Sequence, residues 1–314
     1  MRVAEKEYLE DKLDQIKFSS FAWTHDNLGV FYSAFDRVES EEGRKQASNK
    51  NQKVFFHRLG TDQKDDLLVY CTPEHPEWMF SPEVTDDGKK LILSVRESCE
   101  PKNLFFLAPL ESFQGQTDFV WDFQKLIPVF EDEYSYITNE GSLYYIQTKE
   151  EFICIDLDAP QKENWRTLIP KGDDILQWLT CVDHDKVVAC FLHDVQSVLK
   201  VFRLDNGELL NQISLPAIGN VSSISGKKDF PELFYSFTSF TFPGTVFSYD
   251  FTTLLSTVFY ETKVAGFDPN RFTVEQVFYS SKDGTQVPMF LFYPKVSFSE
   301  NFFVGGSFLK DFCP

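Results

Sequence analysis

Residues 78–99, W-M-F-S-P-E-V-T-D-D-G-K-K-L-I-L-S-V-R-E-S-C, constrain the fold more than any other stretch. They read as a strand, a tight turn at Asp87-Gly88 and an apolar return strand, because glycine adopts the positive φ that such turns require. The same order of aromatic or aliphatic lead-in, acidic or Asn-Gly turn and apolar return recurs along the chain. Taking Tyr136, Thr180 and Ser223 as equivalent positions, the spacing is about 44 and then about 43 residues, with longer intervals earlier, where loops are inserted. Three or four short strands per repeat of that length are the signature of propeller blades. A sandwich is the competing all-β arrangement, but it lacks such repeated internal order.

Five units follow from this rhythm. The first places strands at 18–24, 30–35 and 54–59, with His25-Asp26-Asn27 and Gly29 as a turn and 36–53 as a polar loop. The second is the hairpin at 78–99 continued by a strand at 104–110 and a wet loop containing Gly115. The third runs through 134–138, 143–147 and 152–157, turning at Asn139-Glu140-Gly141. The fourth uses 178–182, a turn at Asp183-His184-Asp185, 186–192 and 199–204, ending in Asp205-Asn206-Gly207. The fifth has 221–225, 233–238 and 245–251. The expected organisation is a lead-in at 1–16, about five blades over 17–266, one hairpin of a different domain within 267–295, and a tail at 296–314 without clear period. The fold class is therefore all-β.

Composition supports this. Thirty-four phenylalanines in 314 residues favour half-buried pleated surfaces over helices. The formal net charge of -18 repels phosphate backbones and anionic lipid surfaces, so neither nucleic acid nor a membrane is an expected partner. No run approaches the ~18 apolar residues of a span, and residues 1–14 are too charged for a signal peptide. The six cysteines, at 71, 99, 154, 181, 190 and 313, form no C-x-x-C pair and read as buried free thiols in a reducing compartment. A cytoplasmic location is expected.

Chemistry-bearing motifs are scarce. A Gly-x-Ser-x-Gly elbow would hold a serine on a strained strand-to-helix turn; Gly305-Gly306-Ser307-Phe308-Leu309 comes nearest and fails at its last position. No phosphate-cradling loop, His-Glu-x-x-His or zinc-spaced Cys/His cluster is present, so neither cofactor nor metal is expected. Histidines 25, 57, 75, 184 and 193 are expected as surface or capping residues. Asp86-Asp87 and Asp173-Asp174 are assigned to turns, where aspartate side chains bond the local backbone.

Several collinear segments between about residues 13 and 295 resemble the prolyl oligopeptidase family. They are F-A-W-T-H-D (21–26), H-R-L-G-T-D-Q (57–63), R-E-S-C (96–99), Y-I-T-N-E-G (136–141), Y-S-F-T-S-F (235–240) and S-K-D-G-T-Q-V-P-M-F (281–290). The resemblance implies a cytosolic serine peptidase that cuts short peptides after proline. Its seven-bladed propeller screens an α/β-hydrolase domain carrying a Ser, Asp, His triad.

Against that pattern the chain starts late and ends early, with about five blades and the first hairpin of the hydrolase domain. The triad is expected beyond residue 314, so catalytic residues within this chain are none. The tail from Val296 lacks the oxyanion-assisting tyrosine. By resemblance, Phe18, Met79, Arg96 and Cys99 face the bound peptide, with Phe18 and Met79 as apolar wall and Cys99 as a reactive thiol at the site's mouth. Read without it, Phe18 and Met79 are core, Arg96 a surface ion-pair partner and Cys99 a buried thiol. Expected partners are short proline-containing peptides. The alternative is a non-catalytic propeller module binding peptides or a full-length homologue, and the exposed end blades of an open arc invite self-association.

Overall fold

The computed structural model describes residues 8–14, 16–35 and 49–295. Among these the chain folds into five four-stranded antiparallel sheets and one two-stranded sheet. Blade 1 comprises β1 (Phe21–Trp23), β2 (Gly29–Ala34), β3 (Lys53–Arg58) and β4 (Leu67–Tyr70). Blade 2 comprises β5 (Met79–Val84), β6 (Lys90–Arg96), β7 (Leu104–Pro109) and β8 (Gln124–Ile127). Blade 3 comprises β9 (Ser135–Glu140), β10 (Leu143–Gln147), β11 (Phe152–Asp156) and β12 (Arg166–Ile169). Blade 4 comprises β13 (Ile175–Val182), β14 (Lys186–His193), β15 (Gln196–Arg203) and β16 (Leu209–Ile213). Blade 5 comprises β17 (Asn220–Gly226), β18 (Glu232–Thr238), β19 (Thr245–Asp250) and β20 (Leu255–Glu261). The hairpin β21 (Phe272–Ser280) and β22 (Gln286–Pro294) follows.

Each blade is a meander whose strands pair in chain order. The first strands of neighbouring blades approach one another, β1 with β5, β9 with β13 and β13 with β17, which sets them around the axis. The fold is an open all-β propeller arc of five blades.

The turns follow residue chemistry. Gly88 takes φ +71° between β5 and β6, and Asp183 and His184 both take positive φ in the three-residue connection between β13 and β14, a conformation that glycine adopts freely and that short Asp and His turns tolerate. The fourth strand of every blade goes unrecognised in the sequence. β8 reads Q-K-L-I and β12 R-T-L-I, each with two exposed residues before two buried ones, and β20 is exposed throughout. An outer strand packs little of its surface, so it carries no strong alternation. The strand expected over 18–24 is a correction: Phe18 sits at φ +52° and only Phe21–Trp23 pairs.

Packing is between blades. Phe31, Val54 and Phe56 of blade 1 meet Phe80, Leu93 and Phe106 of blade 2. Ile92 and Phe105 meet Tyr144 and Ile155 of blade 3. Tyr145 and Phe152 meet Leu179 and Val187 of blade 4, and Val188 and Val201 meet Tyr235 and Phe247 of blade 5. Each such side chain, fully buried, contributes ~1.5–3 kcal/mol. Among the described residues these four shared cores join the five blades in series, and none joins blade 5 back to blade 1. Residues 296–314, including the expected divergent tail and Ser307, lie outside the described residues.

Candidate functional site

The propeller axis has two ends. At one, the first strands begin and the second strands end; at the other, the first strands turn into the second.

Met79 opens β5 and Arg96 closes β6, and the hairpin register makes them direct cross-strand partners. Arg96 forms an ion pair through Nη2 with Glu133, the residue two before β9. Beneath this pair Asn103, fully buried, clamps the two blades. Its Nδ2 donates to Ser94 Oγ (2.9 Å) and the Tyr134 carbonyl (3.0 Å), and its Oδ1 accepts from the Tyr134 N–H at 2.7 Å.

Phe18 is 65% exposed. Its carbonyl accepts from Gln52 Nε2 at 3.2 Å, and Gln52 Oε1 accepts from the Phe80 N–H at 2.6 Å. The buried Gln52 thereby ties Phe18 to the strand that carries Met79. Cys99 is exposed on the loop after β6. All four residues thus stand at one axial end of blades 1 and 2: Met79 and Arg96 side by side, Phe18 tethered through Gln52, and Cys99 three residues beyond Arg96. Phe18 and Cys99 are not core, and Met79 is half-buried.

The hairpin β21–β22 docks at the same end. Gln276 on β21 donates to the Asp194 carbonyl (2.6 Å) and bonds Gln196, both at the β14–β15 turn. Phe240, between β18 and β19, packs on Phe290 and Phe292 of β22, with ring centroids 6.1 and 5.9 Å away. Nearby, Asp174 accepts from Lys200 Nζ (3.0 Å) and pairs with His193, whose pKa this carboxylate raises.

The opposite end holds a cavity of ≈540 Å³ lined by His25, Asp86, Asp87, Asn139, Cys181 and Lys228, among others. All five blades contribute. Thr138 donates to Asp86 (2.6 Å) and Asn139 to Asp87 (3.0 Å), joining the turns of blades 2 and 3. Burial would raise the Asp87 carboxyl, but hydrogen bonds from Thr85, Lys89 N–H and Asn139 outweigh it and hold it below the usual range. On β5, three residues before Asp86, Glu83 keeps contact with solvent, yet protein atoms crowd it closely. The crowding, with the charge of Asp86, pushes its carboxyl up to about 7.

Two expectations are corrected. Cys71 and Cys99 are exposed, while Cys154, Cys181 and Cys190 are buried free thiols; Cys313 lies outside the described residues. His57 is no surface residue. Only 1% exposed, it sets Nδ1 2.7 Å from Asp66 and Nε2 3.1 Å from Asp11. Alternation put it on a strand end, but residues of the lead-in fold back over it. His75 stacks on Trp78 with centroids 3.9 Å apart. Sequence reading missed Gln52, Asn103, Glu133 and Lys228, because nothing local marks a polar residue whose partner lies on another blade.

Among the described residues no helix is long and apolar enough to cross a membrane. Residues 1–262 match the family described as "Prolyl oligopeptidase, N-terminal beta-propeller domain". Prolyl oligopeptidase A of Amanita bisporigera is 31% identical over 295 residues, which cover 90% of this chain and 38% of that protein. The dual function macrocyclase-peptidase POPB of Galerina marginata is 32% identical over 292 residues, covering 90% and 39%. The solved apo structure of prolyl oligopeptidase B from Galerina marginata superposes with a TM-score of 0.81 at 30% identity, covering 93% of this chain and 41% of that one. The chain spans about two fifths of the length of these relatives.

Proposed function

Because the chain belongs to the prolyl oligopeptidase family, through the N-terminal propeller domain of that family, we propose that it forms the substrate-gating propeller portion of a serine endopeptidase that cleaves short peptides after proline. Residues 17–266 are the propeller part and 267–295 open the peptidase domain. Phe18, Met79, Arg96 and Cys99 face the peptide, with Phe18 and Met79 as apolar wall and the Arg96 guanidinium as donor to a peptide carbonyl or carboxylate. The observation that carries this reading is the meeting of Met79 and Arg96 at the axial end where β21–β22 docks.

Acyl transfer needs a nucleophile, a base within reach and oxyanion donors. The family match covers the propeller. Within the described part, His57 faces two carboxylates, His193 faces Asp174 and His75 faces an indole. The chain by itself binds peptide without hydrolysing it. Its free thiols suit the cytoplasm, where thiols stay reduced.

The test uses the purified chain with a proline-containing tetrapeptide and a fluorogenic Gly-Pro substrate. The expected result is no turnover, together with slower maleimide labelling of Cys99 in the presence of the peptide, an effect that Arg96→Ala abolishes. Turnover that survives purification would overturn the first part. Cys99 labelling indifferent to millimolar peptide would overturn the second.

A further inference from the structure

Arg96 and Glu133 belong to different blades, and what brings them together lies on either side of the pair. The fully buried Asn103 holds both neighbours of Glu133. Its side chain accepts from the Tyr134 N–H at 2.7 Å and donates to the Tyr134 carbonyl at 3.0 Å, while its own N–H donates to the Asp132 carbonyl at 3.1 Å. Asp132 Oδ1 in turn accepts from the Glu133 N–H at 2.7 Å. On the other blade, Asn103 Nδ2 donates to Ser94 Oγ at 2.9 Å, two residues before Arg96 on β6. One buried amide thus indexes the carboxylate and the guanidinium to each other.

The ion pair is not what joins the blades. Its side chains are 38% and 33% exposed, and a pair so open to water adds little to stability. The joining is done by the buried bonds of Asn103 and by Ile92 and Phe105 packed on Tyr144 and Ile155. What the pair does fix is the plane of Arg96. A guanidinium carries five N–H donors in one rigid fork. Glu133 Oε1 engages Nη2, and among the described residues Arg96 makes no other side-chain bond. A long side chain pinned at one corner has lost its rotamer freedom before a ligand arrives, and the rest of its fork stays free to donate. The carboxylate also alters what the fork accepts. An anion brought to Arg96 comes to rest beside Glu133 and meets like-charge repulsion, whereas a carbonyl does not.

We propose that Glu133 is a positioning and specificity-determining residue of the peptide site. It fixes Arg96 for a neutral peptide carbonyl and, as a fixed negative charge, discriminates against peptides with an acidic residue before the proline. The role rests on the assignment of Arg96 to the bound peptide and resolves which of the two possible acceptors, carbonyl or carboxylate, that residue takes.

The test titrates the purified chain with two blocked tetrapeptides that differ only in carrying Gln or Glu before the proline, and reads the peptide concentration that halves maleimide labelling of Cys99. For the unmodified chain the Gln peptide is expected to protect at the lower concentration. Glu133→Gln removes the charge but keeps an acceptor for Nη2, so the Gln peptide should hold its value within about 2-fold while the Glu peptide gains about 5-fold on it. Glu133→Ala removes charge and acceptor together, and should weaken the Gln peptide about 5-fold, the cost of fixing one long side chain on binding. Circular dichroism verifies that each variant keeps its fold. A Glu-to-Gln peptide ratio unchanged by Glu133→Gln overturns the proposal, as does a Gln peptide weakened equally by both variants. In either case, protection of the unmodified chain and its loss in Arg96→Ala would leave the peptide site itself standing. Absence of any protection of the unmodified chain overturns the peptide site and this role with it.

Discussion

Lys228, on the turn between β17 and β18 of blade 5, reaches past blade 4 to Glu140 on blade 3, with Nζ 3.3 Å from the carboxylate. The same ammonium donates to the Asn139 carbonyl at 3.0 Å. Blade 4 is held beneath this crossing, since the His184 N–H donates to the Lys228 carbonyl at 2.6 Å. Three blades therefore share one tie at the rim of the axial cavity.

Removing that tie has a measurable cost. Lys228→Met should lower stability by ~1.5 kcal/mol, the low end for a hydrogen bond made by a charged group at a partly buried site, read as a shift in the urea midpoint. It should also speed labelling of Cys181, which lines the cavity under Lys228. Unchanged stability together with unchanged labelling would show that the crossing carries no strain between blades.

The thiols should separate into two classes. Cys71 and Cys99 are exposed, whereas burial pushes the Cys181 thiol up to about 12 and the Cys190 thiol up to about 11. Native-state maleimide followed by mass spectrometry should modify the first two at least ~10-fold faster than Cys154, Cys181 and Cys190, because reactivity follows thiolate fraction and access. Cys99 protected until denaturation would remove it from the proposed peptide wall.

Glu83 gives a pH dependence of definite sign. Its folded-state carboxyl, although solvent reaches it, is raised from 4.5 to about 7 by the protein atoms crowded around it and by the charge of Asp86, so the folded chain binds a proton more tightly than the unfolded one. Its contribution therefore favours the fold below about 4.5 and is lost as pH rises toward 7. Glu83→Gln should flatten the stability profile in that window. A wild-type profile that rises no less steeply than the variant's there would count against the assignment.

Gly207 joins a turn of blade 4 to blade 3. It takes φ +70°, and a Cβ at this position would run into the Leu168 carbonyl oxygen. Gly207→Ala should cost at least ~2 kcal/mol, from the left-handed conformation and the backbone collision together, seen as a lower thermal midpoint. Gly60 also takes positive φ but has open space around it, so Gly60→Ala should cost less.

The sequence by itself determined the five repeats, the inner three strands of each blade and the closing hairpin. These are local properties: alternation such as buried Phe80 and Pro82 against exposed Ser81 and Glu83, and turn residues such as Gly88 and Asp183-His184 that tolerate positive φ. The four residues assigned by resemblance could be named, but their grouping could not. Met79 meets Arg96 through a register that one hairpin fixes, whereas Phe18 joins them only through Gln52. The tertiary structure alone decided the outer strands, the burial of His57 against Asp11, the clamp of Asn103 beneath Arg96, and the reach of Lys228. Those partners lie 46, 31 and 89 residues apart for His57, Asn103 and Lys228 respectively. A polar side chain whose partner stands on another blade leaves no periodic trace in its own neighbourhood, so only the assembled arc reveals what it holds.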